Sequence, residues 1–377
     1  MAIVGGGPAG TATGHYLAKQ GLNVAILERT AYENWRVGET LPPHAQIELA
    51  RLGVWPRFLS QKFVSSLELR WSWAAAALVE HNFLLNPYGP VWHVDRQKFD
   101  LMLLGQARAS GADIAVRAVV RSVRQDSGRW RLAIFHAGKE TTLHCSFLVD
   151  ATGQGAFVAR ALGTKRLRFD NLIGAVGICR LARAPEPLLV VEAVENGWWY
   201  SVPLSPQRLL VGFISDGDIA SEPGCDASVW WSRELAGSVH TAKRVGTLKL
   251  EDDIQRRPAL TSLLEKTSGH AWLAVGDAAS SYDPLSGAGV SKALHFAPIA
   301  ASAIVSALGQ SPAVLSSYDA AIKRDFSTYL KQRLAQYTKE QRWPASPFWQ
   351  RRHTGPAEMA ELPRHTALAH VECETPL

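Results

Sequence analysis

The chain has 377 residues, 47% hydrophobic and 20% charged, with a formal net charge of +6. That length exceeds one ordinary domain and the composition is globular, which argues against a disordered or fibrous chain and predicts two intertwined domains. Four scattered cysteines without a CxxC pair argue against a disulfide framework or a zinc site; an apolar strand in place of a leader then makes a reducing cytoplasm the expected compartment.

Residues 2–29 carry the clearest pattern. A short apolar run, Ala2–Val4, meets Gly5, Gly7 and Gly10 at G-x-G-x-x-G spacing, with Pro8 and Ala9 inside the motif. A helix is expected over 9–20, ended by Gly21, and a second apolar run over 24–27 closes on Glu28 and Arg29. Strand, glycine turn, helix, strand and acid in this order predict a dinucleotide site. Gly5 permits the sharp turn, Gly7 lets the backbone approach a pyrophosphate, and Gly10 lets the helix lie against the sheet. Free N–H groups at the helix start favour phosphate. Glu28 stands where a carboxylate can take the hydroxyls of an adenosine ribose.

Arg36 comes next, on the side where the pyrophosphate would lie, and is a candidate phosphate contact. Glu39 is a polar residue in an otherwise apolar loop over 38–43 and either caps the next helix or faces the cofactor ring. From Val64 to Trp92 the alternation of Leu67, Leu69, Trp71 and Trp73 predicts antiparallel strands. A helix over 95–110 should bury Leu101, Leu104 and Ala107, with Arg96 as a further cofactor contact. Strands are expected at 113–116, 119–124, 130–135 and 141–149. The last ends in Asp150-Ala-Thr152-Gly153, a small polar turn at a strand's carboxyl end, where ligands sit in open α/β sheets.

A continuous antiparallel block follows, with strands at 173–181, 188–194, 198–202 and 209–215, then a helix at 226–236. Residues 271–277 read as a buried strand ending in Gly276-Asp277. Pro284-Leu-Ser-Gly287-Ala288-Gly289 then opens a long helix, a second corner that welcomes anions. The apolar stretch 293–308 reads as too short to span a bilayer. Residues 316–337 read as helix, 343–349 should pack back, and the tail past Thr354 should be partly disordered. The excess positive charge sits in 323–352, where Lys323, Arg324, Lys331, Arg333, Lys339, Arg342, Arg351 and Arg352 face only Asp325 and Glu340. That segment is either a solvated helix face or a docking surface for an acidic partner. No nucleic-acid module accompanies it.

Three separated motifs now agree: Gly5 to Gly10 with Glu28, Asp150 to Gly153, and Gly276-Asp277 with Pro284 to Gly289. Together they resemble the FAD-binding fold of the aromatic hydroxylase (group A flavin monooxygenase) superfamily, over roughly residues 1–310. The resemblance implies an α/β architecture: a Rossmann-type FAD-binding domain (1–64, 95–165 and 255–308), an interleaved antiparallel-sheet substrate domain (65–94 and 166–254), and a helical C-terminal segment (309–377). It implies that Asp277 binds the ribityl chain, and that the Pro284–Gly289 loop lies beside the flavin ring with the positive end of the next helix toward it.

Gly38-Glu-Thr-Leu-Pro-Pro43, Trp198-Trp-Tyr-Ser-Val-Pro203 and Arg342-Trp-Pro-Ala-Ser-Pro-Phe-Trp349 resemble the halogenase-like branch. That branch carries a W-x-W-x-I-P signature; Trp198, Val202 and Pro203 fit it, and Tyr200 replaces the second tryptophan. Halogenases also need a lysine in the first strand of the substrate sheet, where this chain has Ser65, the nearest lysine being Lys62. The chain is therefore most similar to the branch members that hydroxylate a tryptophan side chain of a partner protein during tryptophylquinone biogenesis. The implied reaction uses reduced FAD and O2 to form a C4a-hydroperoxide that an indole or phenol attacks. NAD(P)H or a separate flavin reductase would supply electrons. Trp71, Trp73, Trp92, Trp198, Trp199 and Tyr200 would line the apolar site for an aromatic small molecule or a tryptophan-containing peptide, with Glu39 and His93 as proton handlers. The alternatives are a halogenase using Lys62, a reductase of a prenyl double bond, or a non-catalytic scaffold docking through 323–352.

Overall fold

Runs of apolar residues too short to alternate form the central sheet, because both of its faces are covered. In the computed structural model, which describes residues 1–220, 226–309, 311 and 313–354, Ala2–Val4, Leu148–Asp150 and Trp272–Ala274 are buried at every position. They lie side by side in a six-stranded sheet ordered Ser268–Gly269, Trp272–Ala274, Leu148–Asp150, Ala2–Val4, Ala25–Glu28, Asp113–Val116. The inner pairings are parallel, with Val4 opposite Asp150 and Asp150 opposite Ala274. Three chain segments far apart in sequence therefore leave the same edge of the sheet together.

The Pro8–Lys19 helix starts on Pro8 and packs against the Arg96–Ala109 and Gly289–Leu308 helices. Asp95 caps Arg96–Ala109 by accepting from the Gln97 and Lys98 amides. This helix buries Phe99, Met102 and Leu103 with Leu104 and Ala107, while Leu101, expected inside, is 43% exposed because Phe99 and Leu103 set the inward face. The single strand expected at 141–149 is two. Lys139–Cys145 is mostly polar and exposed and completes a meander with Val119–Asp126 and Arg129–His136, whereas Leu148–Asp150 is wholly apolar until its final acid and joins the parallel sheet.

A seven-stranded sheet forms the second layer, ordered Gln255–Pro258, Leu172–Arg180, Arg208–Asp216, Gly197–Ser205, Leu189–Val194, Glu68–Ser72, Val79–Asn82. It runs past residue 254, where its end was expected. Its period-two alternation sends Trp198 to an inner cluster and Trp199 to an outer one, covered by Trp230 and Trp231 of the Ala227–Ala236 helix.

The Gly289–Leu308 helix has 20 residues, so it is long enough to span a bilayer although its apolar stretch was read as too short; 61% of its most apolar window is buried inside the protein. Residues 343–349 do pack back. Trp349 is fully buried and donates Nε1 to Val194 O, and the chain becomes helical again from Pro347 to His353.

The basic run 323–352 is an open face only in part: Arg324, Lys331 and Lys339 are exposed, while its other basic residues are paired. Arg333 pairs with Asp170 and Asp283, Arg352 with Asp216, Arg351 with Asp216 and Asp218, Arg342 with Glu340 and Lys323 with Asp319. Most of these carboxylates lie far away in sequence, which is why a local charge count missed them. Cys145 and Cys179 are buried free thiols, and no described cluster of His, Cys, Asp or Glu could hold a metal. Cys225, Cys373 and the tail beyond Thr354 lie outside the described residues.

Candidate active site

The glycine turn after Val4 is built for close approach. Gly5 has φ +110°, and a Cβ there would stand 2.2 Å from Ala151 O, so only glycine lets the first and second motifs touch. At Gly276, φ is +59° and a Cβ would stand 2.6 Å from Ala9 Cβ, which joins the third motif to the first. At Gly7, Gly153 and Gly289 the opposite holds: a Cβ would meet no atom within 4 Å. With their turns drawn together at Gly5 and Gly276, these three open glycines mark a candidate trough. Two helices begin beside it, at Pro8 and Gly289, and neither carries an acid in its first turn or a side-chain cap. Their unsatisfied N–H groups and positive dipole ends make the trough attractive to anions.

The flanking residues fit a dinucleotide, with corrections. Glu28 is buried at its strand's end; Oε2 accepts only the Gly6 amide at 2.8 Å and keeps acceptor capacity for a ribose hydroxyl. Its Oε1 accepts from Thr30 and from Arg36 at 3.1 Å. Arg36 also reaches Asp100 at 3.2 Å and lies over the Tyr32 ring, with its side chain still 28% exposed. Arg29 is exposed. Arg96 pairs with Asp100 and donates to Val37 O, which anchors the loop carrying Glu39.

Asp150, expected to touch the cofactor, does not face the trough. It is fully buried, and its carboxylate accepts from the Thr152 amide and hydroxyl and from the Ala159 amide. It shapes the turn, while Gly153 presents the open surface. Thr152 is likewise committed, to Asp150 and to the Phe157 amide. Asp277, by contrast, keeps 38% of its side chain exposed. The Pro284–Ser286 turn is capped by Asp283, and Gly287 follows with φ +57° before Ala288 and Gly289 open the helix.

Val37, Leu285, Trp71, Tyr200 and Leu204 are partly buried and pack against one hydrophobic cluster, so the arginine loop, the Pro284 turn and the seven-stranded sheet share it; this cluster is the candidate chamber for the ring. Trp73 and Trp198, expected to line this chamber, are only 6% and 2% exposed. Each donates its indole N–H to the C-terminal helix, Trp73 to Gln336 O and Trp198 to Tyr337 Oη, both at 3.0 Å. They are core, as is Trp199, which stacks on Phe213 on the sheet's outer face. Trp92 packs with Trp55 and Phe58 in a different cluster.

Glu39 is 4% exposed and its Oε1 has no protein partner. Burial, opposed by hydrogen bonds from backbone amides and by Arg96, pushes its carboxyl up to about 7. His93 is fully enclosed, with Nδ1 3.3 Å from Thr40 Oγ1. Burial and the nearby Arg244 push it down to about 3, which leaves it an uncharged ring at neutral pH. A separate cavity of about 510 Å³ lies among Arg168, Asp170, Asp216, Arg333, Arg351 and Arg352. It contains none of the glycine-loop residues, and most of its charges are already paired.

Sequence reasoning missed Val37 and Leu285 as chamber walls, and Asp283, Arg333 and Tyr337 as their supports. The acid before Pro284 was the one available signal.

Glycines open toward a trough shared by three strand-end loops are what a flavin dinucleotide requires. The chain belongs to the FAD binding domain family, whose pattern matches residues 1–332. LodB of Marinomonas mediterranea, described as an FAD-dependent oxidoreductase, is 28% identical over 356 residues, covering 93% of this chain and 96% of LodB. Among solved structures, the flavin-dependent halogenase CmlS superposes with a TM-score of 0.83 at 28% identity, covering 93% of this chain and 66% of CmlS. The peptidyl tryptophan dihydroxylase QhpG superposes with a TM-score of 0.76 at 24% identity, covering 93% of this chain and 77% of QhpG, a likeness of fold alone. The protein is a flavin-dependent oxidoreductase of the group A hydroxylase and halogenase-like superfamily, with the mixed α/β fold of that group.

Proposed function

We propose that this flavoprotein hydroxylates an electron-rich aromatic ring, with the indole of a tryptophan-containing peptide or protein as the preferred substrate. When bound and reduced, FAD would pass two electrons to O2 and carry one of the two O2 oxygen atoms to the ring. The overall balance is one arene C–H, O2, two electrons and two protons giving one phenolic C–O–H and water. NAD(P)H or a partner reductase provides the electrons.

The chain's own contribution is positioning and dryness. Trp71, Tyr200 and Leu204 offer one apolar wall for a flat ring. Val37 and Leu285, packed against the same cluster, add apolar surface that would keep water from the reacting edge. The open N-terminus of Gly289–Leu308 favours negative charge at the ring end of the trough. Glu39 Oε1, unpartnered and poised near neutrality, accepts the proton that leaves the substituted ring carbon.

The observation that carries hydroxylation over halogenation is Ser65. The sequence pattern sets it where halogenases carry a lysine; it is exposed and paired with Trp92, in a separate three-stranded sheet and not in the seven-stranded one that lysine was expected to join. Lys62 is exposed in the turn before that strand. The likeness to QhpG, a peptidyl tryptophan dihydroxylase, is of fold alone and only makes a peptide-borne indole the substrate to test first; the similarity of CmlS keeps halogenation as the competing reading. The test is mass spectrometry of tryptophan-containing peptides incubated with reduced enzyme, isotopically labelled O2 and bromide. Incorporation of labelled oxygen supports hydroxylation; a brominated product without labelled oxygen overturns it.

A further inference from the structure

Lys292 is the one buried lysine among the described residues. It stands in the first turn of Gly289–Leu308, on an inward face otherwise made of small and apolar residues and one serine. Removing an ammonium from water costs several kcal/mol unless charge and hydrogen bonds compensate. Compensation comes from four sides. Lys292 Nζ donates to Ser280 O, lies 3.3 Å from Ser280 Oγ, 3.6 Å from Asp277 Oδ1, and 4.0 Å from the centre of the Tyr282 ring. Tyr282 donates its hydroxyl to Asp325 and stacks flat on Tyr329 with ring centres 3.9 Å apart. Donation to a carboxylate enriches the face of the Tyr282 ring, which strengthens its hold on a cation. The charged groups around Lys292 are Asp277, Asp325 and Arg166. Arg166 spends its own N–H groups on Ser262 and on the carbonyls of Asp277 and Ala278.

The geometry is asymmetric. The lysine side chain is 6% exposed and the Asp277 side chain 38%, so the ammonium sits inside and the carboxylate looks out over the trough. The shortest contact of Nζ goes to Ser280 O, and the 3.6 Å separation from Asp277 is Coulombic rather than a hydrogen bond. Asp277 is therefore held by charge without losing acceptor sites that a ligand hydroxyl could use. One side chain also ties the Gly276–Ala278 turn to the helix that begins at Gly289, the two parts of the trough that must keep register around a long cofactor.

We propose that Lys292 is a positioning residue for FAD: from beneath the trough it fixes the Asp277 carboxylate toward the hydroxyls of the cofactor's sugar chain and locks the Asp277 turn to the Gly289 helix. This rests on the assignment of Asp277 to the cofactor site.

The test is a double-mutant cycle read by FAD dissociation constants from flavin fluorescence titration of the apoprotein. Lys292→Met is expected to weaken FAD binding about tenfold or more. Lys292→Gln keeps a donor for Ser280 O without the charge and is expected to lose as much; it replaces the methionine variant if that one fails to fold. In the Asp277→Asn background the Lys292 substitution should change the dissociation constant by less than about twofold, because its effect runs through the carboxylate. Wild-type affinity in Lys292→Gln, or losses at the two positions that simply add, overturn the proposal while leaving the Asp277 assignment intact. Unchanged affinity in Asp277→Asn alone overturns both.

Discussion

Tyr337 Oη donates to Asp283 Oδ2 at 2.8 Å, and the same hydroxyl accepts from Trp198 Nε1 at 3.0 Å. Tyr329 of the same helix completes the clasp, its hydroxyl 2.7 Å from the Asp283 amide that donates to it. Through this relay the seven-stranded sheet, the C-terminal helix and the turn beside the expected flavin ring act as one body. Tyr337→Phe leaves an indole N–H and a carboxylate oxygen short of a partner in a buried setting. A loss of about 1–3 kcal/mol in chemical denaturation is expected, together with faster FAD release. A variant within about 0.5 kcal/mol of the parent would show that the relay is idle.

Arg333 bridges Asp170 and Asp283 at 2.9 and 3.0 Å, with all three side chains under a tenth exposed. Removing the cation strands two buried carboxylates. Arg333→Met should therefore cost about 3–5 kcal/mol, measured by urea denaturation. Charge reversal there would unfold the protein rather than disturb a docking surface. Normal stability in Arg333→Met would return this residue to the open basic face that composition alone suggested.

Glu39 gives a pH signature. Its folded-state value, about 7, lies above its ordinary value of 4.5, so the folded protein holds a proton that the unfolded chain has already released. Stability from this group is fully present below the ordinary value and is lost as pH rises through about 7. Relative to Glu39→Gln, the parent should lose about 3 kcal/mol between pH 4 and pH 8, of the order of a two-to-three-unit shift. Parallel stability curves for the two proteins would contradict it. The same substitution should lower turnover and flatten its dependence on pH near neutrality.

The aromatic residues should separate by role. Trp71→Ala or Tyr200→Leu should raise the substrate KM about tenfold with little change in melting temperature, since both side chains keep open surface in the chamber. Trp198→Phe and Trp73→Phe should do the reverse, lowering stability by about 1–2 kcal/mol through the lost indole N–H bonds while leaving KM near the parent value. Steady-state kinetics beside thermal melts would decide. Equal KM effects at Trp198 and Trp71 would restore the original lining.

What the sequence disclosed follows from range. Gly5, Gly7 and Gly10, Gly153, and Gly276 with Gly289 were legible because the turn each one makes shows in its local spacing, even where, as at Gly5 and Gly276, the contact it permits is with a distant motif. The convergence of their three loops follows from parallel pairing of three short apolar strands. Asp150 was misplaced because a turn-holding acid and a ligand-holding acid look alike in one dimension, and only its saturation by Thr152 and Ala159 separates them. Trp198 was misplaced because the strand period tells which face it takes, not whether a helix 139 residues away covers that face. The charges of 323–352 were misread for the same reason, since Arg333 and Arg352 find their carboxylates across the fold. Lys292 gave only the faint signal of a lone lysine on an apolar helix.

The trough itself is most directly tested at Gly7, where an added Cβ would lie within 4 Å of no atom beyond its chain neighbours and a side chain would extend into space assigned to the dinucleotide. FAD titration of the apoprotein should give one tight site in the parent, and Gly7→Val should lose that site while its circular dichroism and melting temperature stay unchanged. A folded Gly7→Val protein that binds FAD as tightly as the parent would contradict the placement of the cofactor.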